Sequence, residues 1–150
     1  MKRILFYALI LAVVLVLPTE GVDVAKLQPV QTIAVYKDGQ TWVIKTDTGD
    51  YGSGNSVEEA FENLIKTTPA IIYLDTADHL ILKDNATEAI DELRVRLKDS
   101  VALYRYIGDP DLKEVSKYLS VHGNKVKLKH WNHSVDLPIL DCTTERFFFV

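Results

Sequence analysis

Two short alternating runs, VQTIAVY and TWVIKT, flank the tetrapeptide KDGQ, and this constrains the fold more than any other feature of the chain. Asp38-Gly39 is the strongest local hairpin signal, because a two-residue type I′ loop needs positive φ at both central positions, which Asp and Gly tolerate. With Lys37 opposite Gln40, Val35 is set against Trp42 and Ile33 against Ile44, so the bulky apolar residues share one face. Ala34, Tyr36, Thr41 and Val43 share the other. A hairpin with an apolar face needs a second layer to cover it.

The elements for that layer follow. Ser56 with Glu59 three residues later forms a capping box, in which two backbone donors are satisfied reciprocally. Val57, Ala60, Phe61, Leu64 and Ile65 then recur at helical spacing until Thr67-Thr68-Pro69. AIIYL (70–74) reads as a strand buried on both faces, and HLIL (79–82) as another after the polar bend DTAD. Asn85 or Thr87 opens a second helix with Ala86, Ile90, Leu93 and Leu97 on one side. SVALYRYIG (100–108) is a strand, and Asp109-Pro110 starts a third helix as N-cap and first-turn proline, with Leu112, Val115 and Leu119 inward. KVKLKHW alternates as a strand, with Val126 and Leu128 on one face, and further strands are expected near 137–142 and 145–150. Residues 22–29 are a lead-in. The order β-β-α-β-β-α-β-α-β predicts an α+β fold, a mixed sheet opened by a β-hairpin with about three helices packed on it.

The first residues set the expected location. Lys2 and Arg3 precede an apolar run from Ile4 to Leu17 closed by Pro18. That is the n-region and h-region of an export signal, shorter than the roughly 20 residues a spanning helix prefers. Residues 1–21 are read as a signal peptide cleaved after Gly21 or as an uncleaved N-terminal anchor, with a buried N-terminal strand as the remaining alternative. Residues 22–150 are read as a single α+β domain, exported and touching a membrane only through 1–21. The chain carries a net charge of −4 with no basic cluster, which argues against nucleic acid. Cys142 is the only cysteine, so no intrachain disulfide forms.

The candidate chemistry is sparse. Asp47-Thr48-Gly49 is the tripeptide with which aspartic proteases present a carboxylate, and two such groups must share a proton. A chain of this length would need a dimer to supply the second. Asp, Thr and Gly are also common turn formers, and a turn is the preferred reading here. His130-Trp-Asn-His133 has i, i+3 spacing, which puts both rings on one side of a helix but on opposite faces of a strand. No metal ligation and no cofactor are therefore assigned. Gly52-Ser53-Gly54 precedes a helix but lacks the third glycine of a dinucleotide fingerprint. Surface anchors are sought among aromatics: Trp42, Tyr36, Tyr51 and Tyr73, together with Phe147 and Phe149 of the closing Phe-Phe-Phe run. That run is read as an interior strand, or else as one docked on a partner or a second copy.

Residues 52–82, with Gly52-x-Gly54-x-Ser56-Val57-x-Glu59-Ala60, Leu64, AIIYL and HLIL, resemble the N-terminal domain of the C-subunit lipoproteins of spore-germination nutrient receptors. Residues 86–119 extend the likeness. The resemblance implies an extracytoplasmic, non-enzymatic binding or assembly module in a spore-forming Gram-positive lineage. The functional expectation is accordingly a non-catalytic exported protein–protein interaction or assembly domain at the bacterial cell envelope, with a protein partner or self-association. The alternatives are a small dimeric aspartic-type hydrolase using Asp47 and a small-ligand-binding domain with a pocket beside Trp42.

Overall fold

The computed structural model describes residues 26–123, 126–144 and 147–150. The signal or anchor reading of residues 1–21 lies outside them. In chain order the elements are β1 (Leu27–Pro29), β2 (Thr32–Asp38), β3 (Thr41–Thr46), β4 (Tyr51–Gly54), α1 (Val57–Thr67), β5 (Ile71–Tyr73), β6 (His79–Leu82), α2 (Ala89–Leu93), β7 (Ala102–Gly108), α3 (Leu112–His122), β8 (Ile139–Cys142) and β9 (Phe148–Phe149). Seven strands form one sheet in the order β4-β3-β2-β6-β7-β8-β9, and β1 pairs with β5 in a separate parallel ribbon. β2, β6, β7 and β8 run parallel, whereas β3, β4 and β9 are antiparallel to their neighbours. This is the expected α+β class with its mixed sheet, its β2–β3 hairpin and three helices.

The sheet is covered unequally. One face carries Ile33, Val35, Trp42, Ile44, Leu80, Leu82 and Leu103, packed beneath Phe61 and Leu64 of α1 and Ile90 and Leu93 of α2. The other carries Ala34, Ile81, Tyr104, Tyr106 and Leu140, packed against Leu112, Val115 and Leu119 of α3. The whole of β6 is buried, as a central parallel strand flanked on both faces should be.

The hairpin register differs from the expected one. Asp38 pairs with Thr41, Lys37 with Trp42 and Val35 with Ile44, so the loop is Gly39-Gln40. Only Gly39, at φ +61°, is left-handed there, which is the type II′ pattern with Gly first. Gln40 is thereby spared the positive φ a type I′ turn would ask of it. The register changes by an even step, so every side chain keeps its face.

Other expectations are corrected by what the strands and caps do. β4, missed in the sequence, pairs with β3 through Tyr51–Gly54 because Gly52 and Gly54 let α1 lie directly on the strand. A Cβ on Gly52 would fall 2.2 Å from the Ala60 carbonyl oxygen. β5 is not a doubly buried strand, for Ile71 and Tyr73 are 48% and 40% exposed in the two-stranded ribbon. The N-cap of α3 is Asp111, whose carboxylate accepts from Lys113 and Glu114 N–H, not Asp109. Residues 126–131 make one bridge, Ala102 to Lys127, and then a 3-10 turn over Leu128–His130 instead of a strand. Leu128 and Trp131 leave the sheet plane to join the core under α2. β9 is an edge strand, not an interior one.

Candidate functional site

α3 spans only part of its face of the sheet, and among the described residues no helix packs on the part of that face built from β3 and β4. Register places the residues of that face in rows. Ser53, Val43 and Tyr36 lie side by side across β4, β3 and β2. Val35 pairs with Leu82, and Leu82 with Arg105, so the row continues one residue on into Lys83 and Tyr106. The neighbouring row runs Tyr51, Lys45, Ala34, Ile81, Tyr104, and its last three members lie in the α3 core. The bare part is a hollow of about 520 Å³ lined by Tyr36, Asp38, Thr41, Val43, Lys45, Tyr51 and Ser53.

Two ammonium groups approach the Tyr36 ring, one from each of the strands flanking β2. Lys45 Nζ is 5.3 Å and Lys83 Nζ 5.2 Å from the Tyr36 centroid, and Lys83 is also 5.9 Å from that of Tyr106. These are cation–π distances, in which the ring face offsets part of the cost of holding a charge over a sheet. Both lysines are half-buried. Among the described residues neither has a carboxylate within ion-pair distance, although Lys37, Lys66, Arg96, Lys98, Arg105 and Lys117 each do. Burial, seconded by Tyr36 and Asp109, pushes the Tyr106 hydroxyl well above the usual phenol range, so it stays a neutral hydrogen-bonding group at neutral pH.

The hollow continues in one direction, and a separate cavity lies beyond β2. Toward the β3–β4 loop it shares Lys45 and Tyr51 with a cavity of about 430 Å³ lined by Asp47, Asp50, Asp111 and Lys113. Separately, Lys83 and Tyr106 line a smaller one of about 280 Å³ with Asp84 and Asn85. That one sits at the carboxyl ends of β6 and β7, where open parallel sheets commonly take ligands. The first two, which share Lys45 and Tyr51, form one open trough.

Asp47 stands at the rim of this trough, in a three-residue hairpin loop. Gly49 N–H donates to Thr46 O at 3.1 Å, and Thr46 N–H to Asp50 O at 2.9 Å. With Gly49 at φ +95°, this is a type I turn closed by a glycine bulge. The Asp47 carboxylate accepts from Gln31 N–H at 3.2 Å, tying the loop to the start of β2. Thr48 Oγ1 is 2.7 Å from Thr46 Oγ1 and donates to Asp50 at 2.9 Å, so the tripeptide's polar atoms are engaged locally.

The other candidates scatter. Trp42 faces the opposite side of the sheet, 7% exposed in the core beneath α1, and cannot line a surface pocket. Of the named anchors, Tyr36 and Tyr51 are in the hollow. Phe149 stacks on Tyr104 with centroids 5.8 Å apart, and both Phe147 and Phe149 pack against Tyr118 of α3. They close the far end of the core, while Phe148 faces out, 45% exposed. His130 ends a 3-10 turn and His133 lies beyond it, with its Nε2 3.2 Å from Asp91. Among the described residues no three His, Cys, Asp or Glu side chains gather about one point. The Cys142 thiol is buried, pushed up to about 11 by burial and by Asp141, and so is protonated at neutral pH.

Lys45 joins Tyr36 within the hairpin, and alternation along KDGQTWVIK was signal enough to find it. Lys83 and Tyr106 come from other strands and could not be placed beside Tyr36 without the sheet order. Among the described residues no helix is long and apolar enough to cross a membrane. No family model, curated protein or solved structure matches the chain.

Proposed function

We propose that the chain is a non-catalytic exported interaction or assembly domain of the bacterial cell envelope, and that it binds a protein partner through the face of β3 and β4 beside α3. The observation that carries this reading is the hollow lined by the half-buried Tyr36 and by Tyr51, the latter 63% exposed. Aromatic residues on an open face, rimmed by polar groups, characterise interaction surfaces. The sheet edges favour the face over strand addition. Asn63 and Thr67 of α1 donate to the Ser53 and Tyr51 carbonyls of edge strand β4, at 2.8 and 3.3 Å. β9, at the other edge, is two residues long. Both are devices that discourage edge pairing.

The resemblance to germination lipoproteins extends the same proposal to a spore-forming lineage. The glycine pair on which it leans has a packing role in this chain, seating a helix on a strand. The hydrolase alternative draws less support, because the Asp47 carboxylate is spent on the Gln31 backbone.

The test is site-specific photo-crosslinking in envelope fractions of the native host. A photoreactive residue at Tyr51 is expected to give a discrete heavier adduct, and one at Val95, exposed and remote from the trough, is expected to give none. Equal labelling at both positions, or absence of the protein from the envelope, overturns the reading.

A further inference from the structure

Taking only the envelope location from that reading, we infer that the β1–β5 ribbon is a second membrane contact, laid in the lipid interface beside the point where residues 1–21 leave the bilayer. Pairing sets Leu27 against Ile71 and Pro29 against Tyr73, so these four share one face of the ribbon. Gln28 and Ile72 share the other, and that face is engaged. Ile72 packs against the main core, and Gln28 Nε2 donates to the Asp50 carboxylate at 2.7 Å. The outer face carries no charged side chain. Pro29, Ile71 and Tyr73 are exposed on it, and Leu27 is half-buried. A contiguous apolar strip left in water marks a contact surface, and a tyrosine, apolar in body and polar at its tip, suits the headgroup level of a bilayer.

The chain on the N-terminal side of β1 decides what covers this strip. Leu27 follows Leu17, the last residue of the apolar run, by ten residues, so the ribbon is tethered within about 35 Å of the run's end. As a helix, Ile4–Leu17 is about 21 Å long, against roughly 30 Å of hydrocarbon. A run that short holds a bilayer weakly, and a tethered second contact strengthens the hold without needing much area. Other occupants fit less well. Four side chains fall far short of the roughly 800 Å² per partner that a stable protein interface buries. The run itself, folded back on the strip, would be covered along one side only. It holds no charged residue on any side, and a bilayer surrounds it. Asp75, exposed just beyond Tyr73, keeps the ribbon's contact shallow.

The test uses the full chain carrying Tyr73→Trp in phosphatidylcholine vesicles, with the emission of the unaltered chain, from buried Trp42 and Trp131, subtracted. Lipids brominated near the carbonyl end of the acyl chain are expected to quench the new tryptophan, and those brominated near the methyl end to quench it less. Val121→Trp, exposed on α3 against the opposite face of the sheet from the core that Ile72 joins, is expected to escape both. Ile71→Ser with Tyr73→Ser is expected to weaken partition into the vesicles about tenfold at an unchanged melting temperature. Mass spectrometry of the protein from host envelopes is expected to show residues 1–21 retained. Removal of 1–21 overturns the inference, as does a chain that fails to float with the vesicles. So does Tyr73→Trp left unquenched in a chain that floats, or a serine variant that partitions as the unaltered chain does. A tryptophan shielded from aqueous iodide yet unquenched by lipid makes the apolar run the occupant, and a cross-linked dimer lost in the serine variant makes it a second copy; either result overturns it too. If these arms fail while the Tyr51 adduct forms in the envelope, only this inference falls; absence from the envelope removes both.

Discussion

His79 shows how one side chain is governed by where the strand puts it. It opens β6, 8% exposed, with Nδ1 3.4 Å from Thr32 Oγ1 and its ring 6.0 Å from that of Tyr104. Burial holds its pKa below the usual value of 6.5; Lys127 and Lys98 act the same way, and Asp78 and Asp47 oppose them. The fold therefore prefers the neutral ring, and the unfolded chain takes up the proton first as pH falls. The stability this provides is complete above about pH 6.5 and is lost as pH drops through that value toward the depressed one, at about 1.4 kcal/mol per unit of depression. The melting temperature is expected to fall below pH 6.5, and His79→Gln to fall less over the same interval. Parallel pH profiles for the two proteins would show that His79 carries none of the effect. In the sequence this histidine only opens the expected strand HLIL. Its burial depends on β2 and β7 lying on either side.

Elements were legible where local chemistry decides them. The Ser56 half of the capping box is formed, with Glu59 N–H donating to Ser56 Oγ at 3.1 Å, while the Glu59 carboxylate accepts from Asn55 N–H, one residue before the cap, at 2.7 Å. The stripe of α1 is buried except at Ile65, which is 51% exposed. The cap of α3 was misplaced by two residues because Asp109 and Asp111 offer the same chemistry. Only the path out of β7 selects the second, so Asp111→Ala is expected to cost about 1 kcal/mol in urea unfolding and Asp109→Ala less than half of that. Comparable losses would reject the assignment. β4 was not legible, since Tyr-Gly-Ser-Gly has little strand propensity. It exists because α1 needs a side-chain-free strand beneath it. In Gly52→Ala the new methyl meets backbone atoms of Ala60 and Leu64 at 2.2 and 2.3 Å, so the helix must shift. A loss of about 1–3 kcal/mol is expected from overpacking of this kind. An unchanged unfolding midpoint would mean that the helix rides higher on the strand than described.

At the scale of the molecule, stability is concentrated in the centre of the sheet. β2, β6 and β7 lie between two helical layers, and their bulky members Ile33, Leu80, Ile81, Leu82, Leu103 and Tyr104 are all at most 2% exposed. The β1–β5 ribbon and β9 bury much less. Hydrogen exchange is therefore expected to show amides of 33–35, 80–82 and 103–104 opening only with global unfolding. Those of 71–73 and 148–149 are expected to exchange through local opening at least about a hundredfold faster. Uniform protection across both groups would contradict this picture. Among the described residues, the same uneven layering leaves the trough without a helix over it, so the candidate site lies beside the place where α3 stops.

The chain alone determined its alternations, its caps and its turns, because hydrophobic periodicity and backbone hydrogen bonding act between residues close in sequence. From these came the α+β class, the β2–β3 hairpin with its faces correctly sorted, and the three helices. Which strands neighbour one another, and which face a helix leaves open, was decided only in three dimensions. Tyr36, Lys83 and Tyr106 are separated by tens of residues, and their row exists because burial of β6 on both faces forces it between β2 and β7. A Tyr-Lys-Tyr surface of that kind is a product of packing, which the order of residues constrains without spelling out.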